Sequence, residues 1–226
     1  MNTNTKTIAG LSWVVLALSI VWVVLMLLSI PSESQMISLQ DFIKYLSGAG
    51  VLFNLNYLNA GLLTFAVSIL FAALFAFYKE RDLLCSAIAF AFIPVYALLN
   101  LTVYFSQVAV LPAFVEMQQV SKYAASSELW IAMLSQLWPG SLFGFLNAMA
   151  YALLGVSSIT FGWLMLKNTM LLRWAGIMLS VNGFLCILGF AGTFMDSELL
   201  SLGLIAGAVF FMIALVLMGM GFWRLK

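Results

Sequence analysis

Apolar residues dominate long stretches of this chain and do so without alternation. Six runs, Ile8–Ile30, Leu58–Tyr78, Leu83–Ser106, Leu142–Leu166, Trp174–Thr193 and Leu199–Trp223, contain no Lys, Arg, Asp or Glu. A helix needs about 20 apolar residues to cross a bilayer core. Each run reaches that length, and the pattern predicts six spanning helices. A membrane β-barrel would instead alternate apolar and polar residues over segments of about ten. Runs such as Val14–Leu28 show no such alternation. The first run is longer than the apolar core of a signal peptide and reads as a span.

Between the runs, two longer connections carry their own helical signals. In the first, Ser38 and Asp41 have capping-box spacing. Leu39, Phe42, Ile43 and Leu46 then share one helical face, and Ser47-Gly48 ends it. In the second, Pro112 is suited to a first helical turn. Ser126-Ser127-Glu128 predicts the start of another helix, with Trp130, Ile131, Leu134, Leu137 and Trp138 as its apolar face. Trp138-Pro139-Gly140 breaks it before the fourth span. The expected fold is therefore an all-α polytopic membrane helical bundle. It has six transmembrane helices and short amphipathic outer-surface helices, in one integral membrane domain over residues 1–226.

Composition agrees. Hydrophobic residues make up 65% of the chain and charged residues 8%, too few charges to clothe a soluble globule. A net charge of +1 argues against nucleic acid as a partner. Placement of the charges says more than their number. Lys6, Lys79, Arg81, Lys167, Arg173, Arg224 and Lys226 fall on one side of the six-span topology, and only Lys44 and Lys122 on the other. Glu33, Asp41, Glu116, Glu128, Asp196 and Glu198 oppose them. The cation bias of short loops puts both termini in the cytoplasm. Rings of Trp13, Tyr78, Trp163, Trp174 and Trp223 fall near the cytoplasmic edge, where an aromatic belt belongs.

A faint internal repeat accompanies this topology. Leu58-Asn59-Ala60 recurs as Leu146-Asn147-Ala148 at an offset of 88 residues, and Lys79, Leu83-Leu84 and Ala87 match at the same offset. Each copy reads as an amphipathic segment followed by a helix pair. Transporter folds are often built from such repeats.

Polar residues within the spans are the candidate functional groups, because side chains of this kind turn away from lipid. Asn100 and Asn147 lie about 8–9 Å from the outer ends of their spans. With Tyr104, Gln107 and Tyr151 they outline an uncharged outer-leaflet pocket, suited to a lipid or a small neutral ligand. The competing role for the same residues is interhelical hydrogen bonding. Pro94 sits mid-span and predicts a kink, and with the midplane Asn182 it forms a candidate hinge. Gly203 and Gly207 form a GxxxG pair suited to close helix approach within the chain or in a homo-oligomer.

The chemistry lacking from the spans is equally informative. The chain has no His, which removes the usual zinc, haem and acid–base sites. No span holds a carboxylate for a proton relay. Cys85 and Cys186 lie at different depths and are not expected to pair. The 13 Met residues are scattered rather than gathered on a copper-binding face. No catalytic residue, metal or cofactor is expected, and membrane lipids are the expected partners. A small-solute transporter or channel built on the repeat is the alternative reading.

Two segments, Tyr104-Phe105-Ser106-Gln107-Val108-Ala109-Val110-Leu111-Pro112 and the stretch from Leu172-Arg173-Trp174 to Asn182-Gly183, resemble an uncharacterised family of bacterial six-span integral membrane proteins. The resemblance extends over most of the chain. It implies the same six-span fold and a bacterial cytoplasmic membrane, and it implies no activity.

Overall fold

The computed structural model describes residues 3–195 and 197–225. Asp196 and Lys226, counted above among the charges, lie outside the described residues. The fold is all-α. Six helices are long and apolar enough to cross a membrane, and the chain is a multi-pass membrane protein.

Helix α1 covers Thr3–Ser29. Its serines do not demand outside partners: Ser12, Ser19 and Ser29 each donate to the carbonyl four residues back, at 2.7–2.8 Å. Such back-bonding keeps a hydroxyl satisfied in a lipid-spanning helix. A short 3-10 turn, Glu33–Gln35, follows Pro31.

Helix α2, Leu39–Ser47, matches its sequence signal. Ser38 Oγ accepts from Asp41 N at 3.1 Å and Gly48 closes the other end. Phe42, Ile43 and Leu46 are its buried face.

Helix α3 runs Val51–Tyr78, seven residues ahead of the expected start at Leu58. The added turns carry Asn54 and Asn56, which lower local hydropathy but do not stop a helix. Phe53, Asn56 and Tyr57 are buried on these added turns.

Beyond the turn at 79–82, the third span is not one helix. Helix α4 (Leu83–Ala91) begins at Asp82, whose carboxylate accepts from Cys85 N at 2.9 Å. It breaks at Phe92, and α5 (Ile93–Ala109) has Pro94 as its second residue. The expected kink is thus a restart, since proline tolerates a first turn where its missing N–H is not needed. A second break at Val110 leads into α6 (Leu111–Gln118), with Pro112 in its first turn.

Helix α7 covers Ala124–Leu134. It starts ahead of the expected Ser126-Ser127-Glu128 cap. No side chain caps it; Ser126 Oγ instead donates to Tyr123 O at 2.9 Å. It also ends before Leu137 and Trp138, which pack against the local core from the following turn. Gly140 in that turn has φ +71, a left-handed conformation that glycine adopts without strain. The long helices α8 (Leu142–Met165), α9 (Met170–Phe194) and α10 (Glu198–Arg224) complete the chain.

Two compact units share these helices. The first comprises Met1–Ser19, Leu63–Leu98 and Ala148–Lys226. Phe71 and Phe161 meet edge to face at 5.6 Å in its core, as do Phe77 and Phe222 at 5.3 Å. Glycines set how closely its helices approach. A Cβ on Gly155 would stand 2.6 Å from Gly183 O, and one on Gly162 2.6 Å from Gly176 O. Gly203, of the GxxxG pair, faces Leu185 and Gly189 of α9, and Gly207 faces Asn182 and Cys186. That pair therefore serves packing within the chain. At the helix ends, Arg81 Nη1 donates to Asn168 Oδ1 at 2.6 Å, and Asn168 Nδ2 donates to Tyr78 OH at 3.1 Å.

The second unit comprises Ile20–Leu62 and Leu99–Asn147. Phe42, Phe53, Tyr57, Tyr104, Leu111 and Ile131 form its core. Around them, α2, α6 and α7 are tied together at their polar edges. Glu128 Oε1 accepts from Gln40 Nε2 at 2.7 Å and from Gln118 Nε2 at 3.4 Å.

Candidate functional site

The polar residues of α5 lie on one stripe. Asn100, Tyr104 and Gln107 recur at helical spacing and all three are buried in the second unit, with Asn100 and Gln107 fully sealed. Their hydrogen bonding separates them.

Gln107 is satisfied at both ends of its amide. Its Nε2 donates to Val103 O at 3.2 Å and to Leu134 O at 2.8 Å, while its Oε1 accepts from Gln136 N at 3.1 Å. Leu134 is the last residue of α7, where carbonyls lack helical partners. Gln107 is therefore a staple between α5 and the end of α7. Tyr104 stands beside Tyr57 of α3, with ring centroids 6.2 Å apart.

Asn100 is the opposite case. It is 0% exposed, and among the described residues neither Nδ2 nor Oδ1 has a hydrogen-bond partner. Asn147 is half-buried in the same unit, with its Oδ1 also unpartnered. Asn56, which the sequence reading did not select, adds a third unpartnered amide oxygen. Its signal was hidden because Asn56 precedes the apolar run taken as the second span. Buried amides without partners cost about 1–3 kcal/mol each, so each of the three is a position where a polar partner would stabilise the unit.

A cavity of about 230 Å³ opens beside Gln107, with Asn54, Gln119 and Glu116 among its polar lining. Its other walls include Phe53, Leu111 and Val115. The volume is below the range of drug-sized ligand pockets and suits a molecule of a few heavy atoms.

Tyr151 and the two hinge candidates belong to the first unit. Tyr151 is half-buried, with its ring 6.2 Å from that of Tyr96. Asn182 Nδ2 donates to Gly207 O at 3.0 Å and approaches Cys186 Sγ at 3.5 Å, leaving Oδ1 unpartnered. Ser86, Ser157 and Ser158 are buried there with unpartnered hydroxyls, unlike the back-bonded serines of α1. Nothing in sequence spacing distinguishes the two kinds of serine.

Both thiols are free. Among the described residues, no three His, Cys, Asp or Glu side chains gather as a metal site. The α5 stripe holds carboxamides and a phenol, groups suited to donating and accepting hydrogen bonds rather than moving protons at neutral pH. Compared with family models, curated proteins and solved structures, the chain matches none.

Proposed function

We propose that the second unit binds a small neutral molecule, or the uncharged part of a lipid, through the Asn100 carboxamide. One observation carries this reading: Asn100 is fully buried with its donor and its acceptor both unused. A ligand presenting one acceptor and one donor would satisfy both. The lack of charge along the stripe favours a neutral one. The proposed setting is a bacterial cytoplasmic membrane, as the resemblance implies, and the placement of both termini inside is supported by the seven cations that share one side of the topology.

Native mass spectrometry of the purified protein, wild type beside Asn100→Leu, tests the proposal. The expected result is a small neutral adduct on the wild type that Asn100→Leu loses, with unchanged or raised thermal stability in the variant. Lower stability with no change in adducts would mean that Asn100 serves the fold alone.

A second reading, transport of a small solute by a repeat-built protein, has its own supporting observation. Gln40 and Glu128, hydrogen-bonded in the second unit, are 88 residues apart, the offset of the sequence repeat. In a repeat related by rotation, counterpart residues near the axis meet one another. Solute uptake into proteoliposomes discriminates this reading: protein-dependent flux supports it, and flux equal to that of empty liposomes removes it.

A further inference from the structure

A groove of about 800 Å³ lies in the second unit where α1 ends and α3 begins. It is separate from the Asn100 stripe. Its walls come from the last residues of α1, the 3-10 turn, α2 and the first residues of α3. The floor is fixed by Tyr45, whose hydroxyl donates to Ser29 O.

Two charges line the groove. Asp41 and Lys44 stand three residues apart on α2, both exposed, and neither forms an ion pair among the described residues. Asp41 Oδ2 takes the Ser38 hydroxyl at 2.5 Å, leaving Oδ1 open. Lys44 has no partner among the described residues. The groove thus offers a cation and an anion about one helical turn apart.

Its surroundings are apolar. Leu27, Leu28, Ile30, Val51 and Leu52 are exposed large hydrophobics on the α1 and α3 ends beside it. Since α1 and α3 are spanning helices, their ends lie at the boundary between hydrocarbon and headgroups. A molecule there would have its apolar part along the leucines and its polar part against α2.

From this charge complementarity we propose that the groove is a headgroup site for a zwitterionic phospholipid with a primary amine, the phosphatidylethanolamine class. The phosphate meets Lys44 and the ammonium meets Asp41. Val51 and Leu52, the first residues of α3, line the same groove, and the positive end of that helix favours the phosphate. A primary ammonium donates three hydrogen bonds, whereas the trimethylammonium of phosphatidylcholine donates none. Asp41 therefore distinguishes the two lipids, and Lys44 holds both.

The test offers the delipidated full-length protein equal amounts of palmitoyl-oleoyl phosphatidylethanolamine, phosphatidylcholine and phosphatidylglycerol, with retention read by native mass spectrometry. The expected result is enrichment of the ethanolamine lipid over the choline lipid by about threefold or more, the ratio one hydrogen bond supplies. Asp41→Asn keeps a capping-competent side chain and is expected to erase that preference. Lys44→Gln, at an exposed position outside the cap, is expected to lower retention of the ethanolamine lipid. Asn100→Leu is expected to leave the preference intact, which separates this site from the one proposed above. Equal retention of the ethanolamine and choline lipids, best retention of the glycerol lipid, or a preference that survives Asp41→Asn would overturn the proposal.

Discussion

Gly155 and Gly183 meet backbone to backbone across the seam between α8 and α9, each filling the space a Cβ on the other would take. Gly162 and Gly176 repeat the arrangement seven residues along each helix. At Gly155 and Gly183 the nearest atoms are carbonyl oxygens, and a backbone cannot step aside cheaply. Gly155→Ala is expected to destabilise the fold by about 1–3 kcal/mol, as overpacking does. Gly10 on α1 has nothing within 4 Å of its Cβ position. Gly10→Ala is expected to be neutral or to stabilise by up to about 1 kcal/mol through helix propensity. Thermal unfolding in detergent should give the two variants opposite signs, and a loss no larger for Gly155→Ala than for Gly10→Ala would contradict the seam.

The Gln107 staple predicts a local effect. Gln107→Leu removes the donor to Leu134 O and the acceptor for Gln136 N. The expected cost is about 1–3 kcal/mol, concentrated where the backbone groups lose partners. Hydrogen exchange should quicken around residues 134–141 while α9 keeps its protection. A uniform change along the chain would argue against a staple.

Asn182 joins α9 to α10 through Gly207 O. Removing that bond by Asn182→Ala is expected to cost about 0.6–2 kcal/mol, the range for interhelical bonds in membranes. The same thermal-unfolding measurement reads it. No loss would assign the α9–α10 joint to the glycine contacts alone.

Asp82 gives the fold a pH dependence. Its carboxyl is held below the ordinary carboxylate range, chiefly by hydrogen bonding from Cys85 and with a smaller contribution from Lys167. A lowered folded-state value means that the cap's contribution is complete above the unfolded value of about 4. It disappears as pH falls through the lower folded-state value. Wild type is therefore expected to be more stable than Asp82→Ala at neutral pH, with the gap closing in acid. A gap that stays constant down to the acid limit would show that the charge plays no part.

Much of the fold was legible because lipid-spanning helices announce themselves by unbroken apolar runs. The α2 helix was also legible, because Ser38, Asp41 and Gly48 each carry a cap signal that depends on local chain geometry alone. Where packing decides, sequence reading fell short. Helix α3 begins at Val51 because the second unit buries Asn56 and Tyr57, a tertiary fact no local window contains. Helix α7 starts without a side-chain cap, so the serines inside it misled. Among the site candidates, the burial of Asn100 and Gln107 followed from their spacing on α5. Their opposite hydrogen-bond states did not, since these depend on where the distant end of α7 comes to rest.

The glycine seams also bear on the order in which the protein forms. Helices α8, α9 and α10 are neighbours in sequence, so each seam closes over a short connection and loses little chain entropy in doing so. Helix α1 faces the reverse situation. Its Trp13 lies against Gly219, near the far end of the chain. Helix α1 must therefore wait for α10 before this face is covered. Until then, lipid or the insertion machinery has to cover the Trp13 face of α1, and a chain cut short before Gly219 keeps that face open for good.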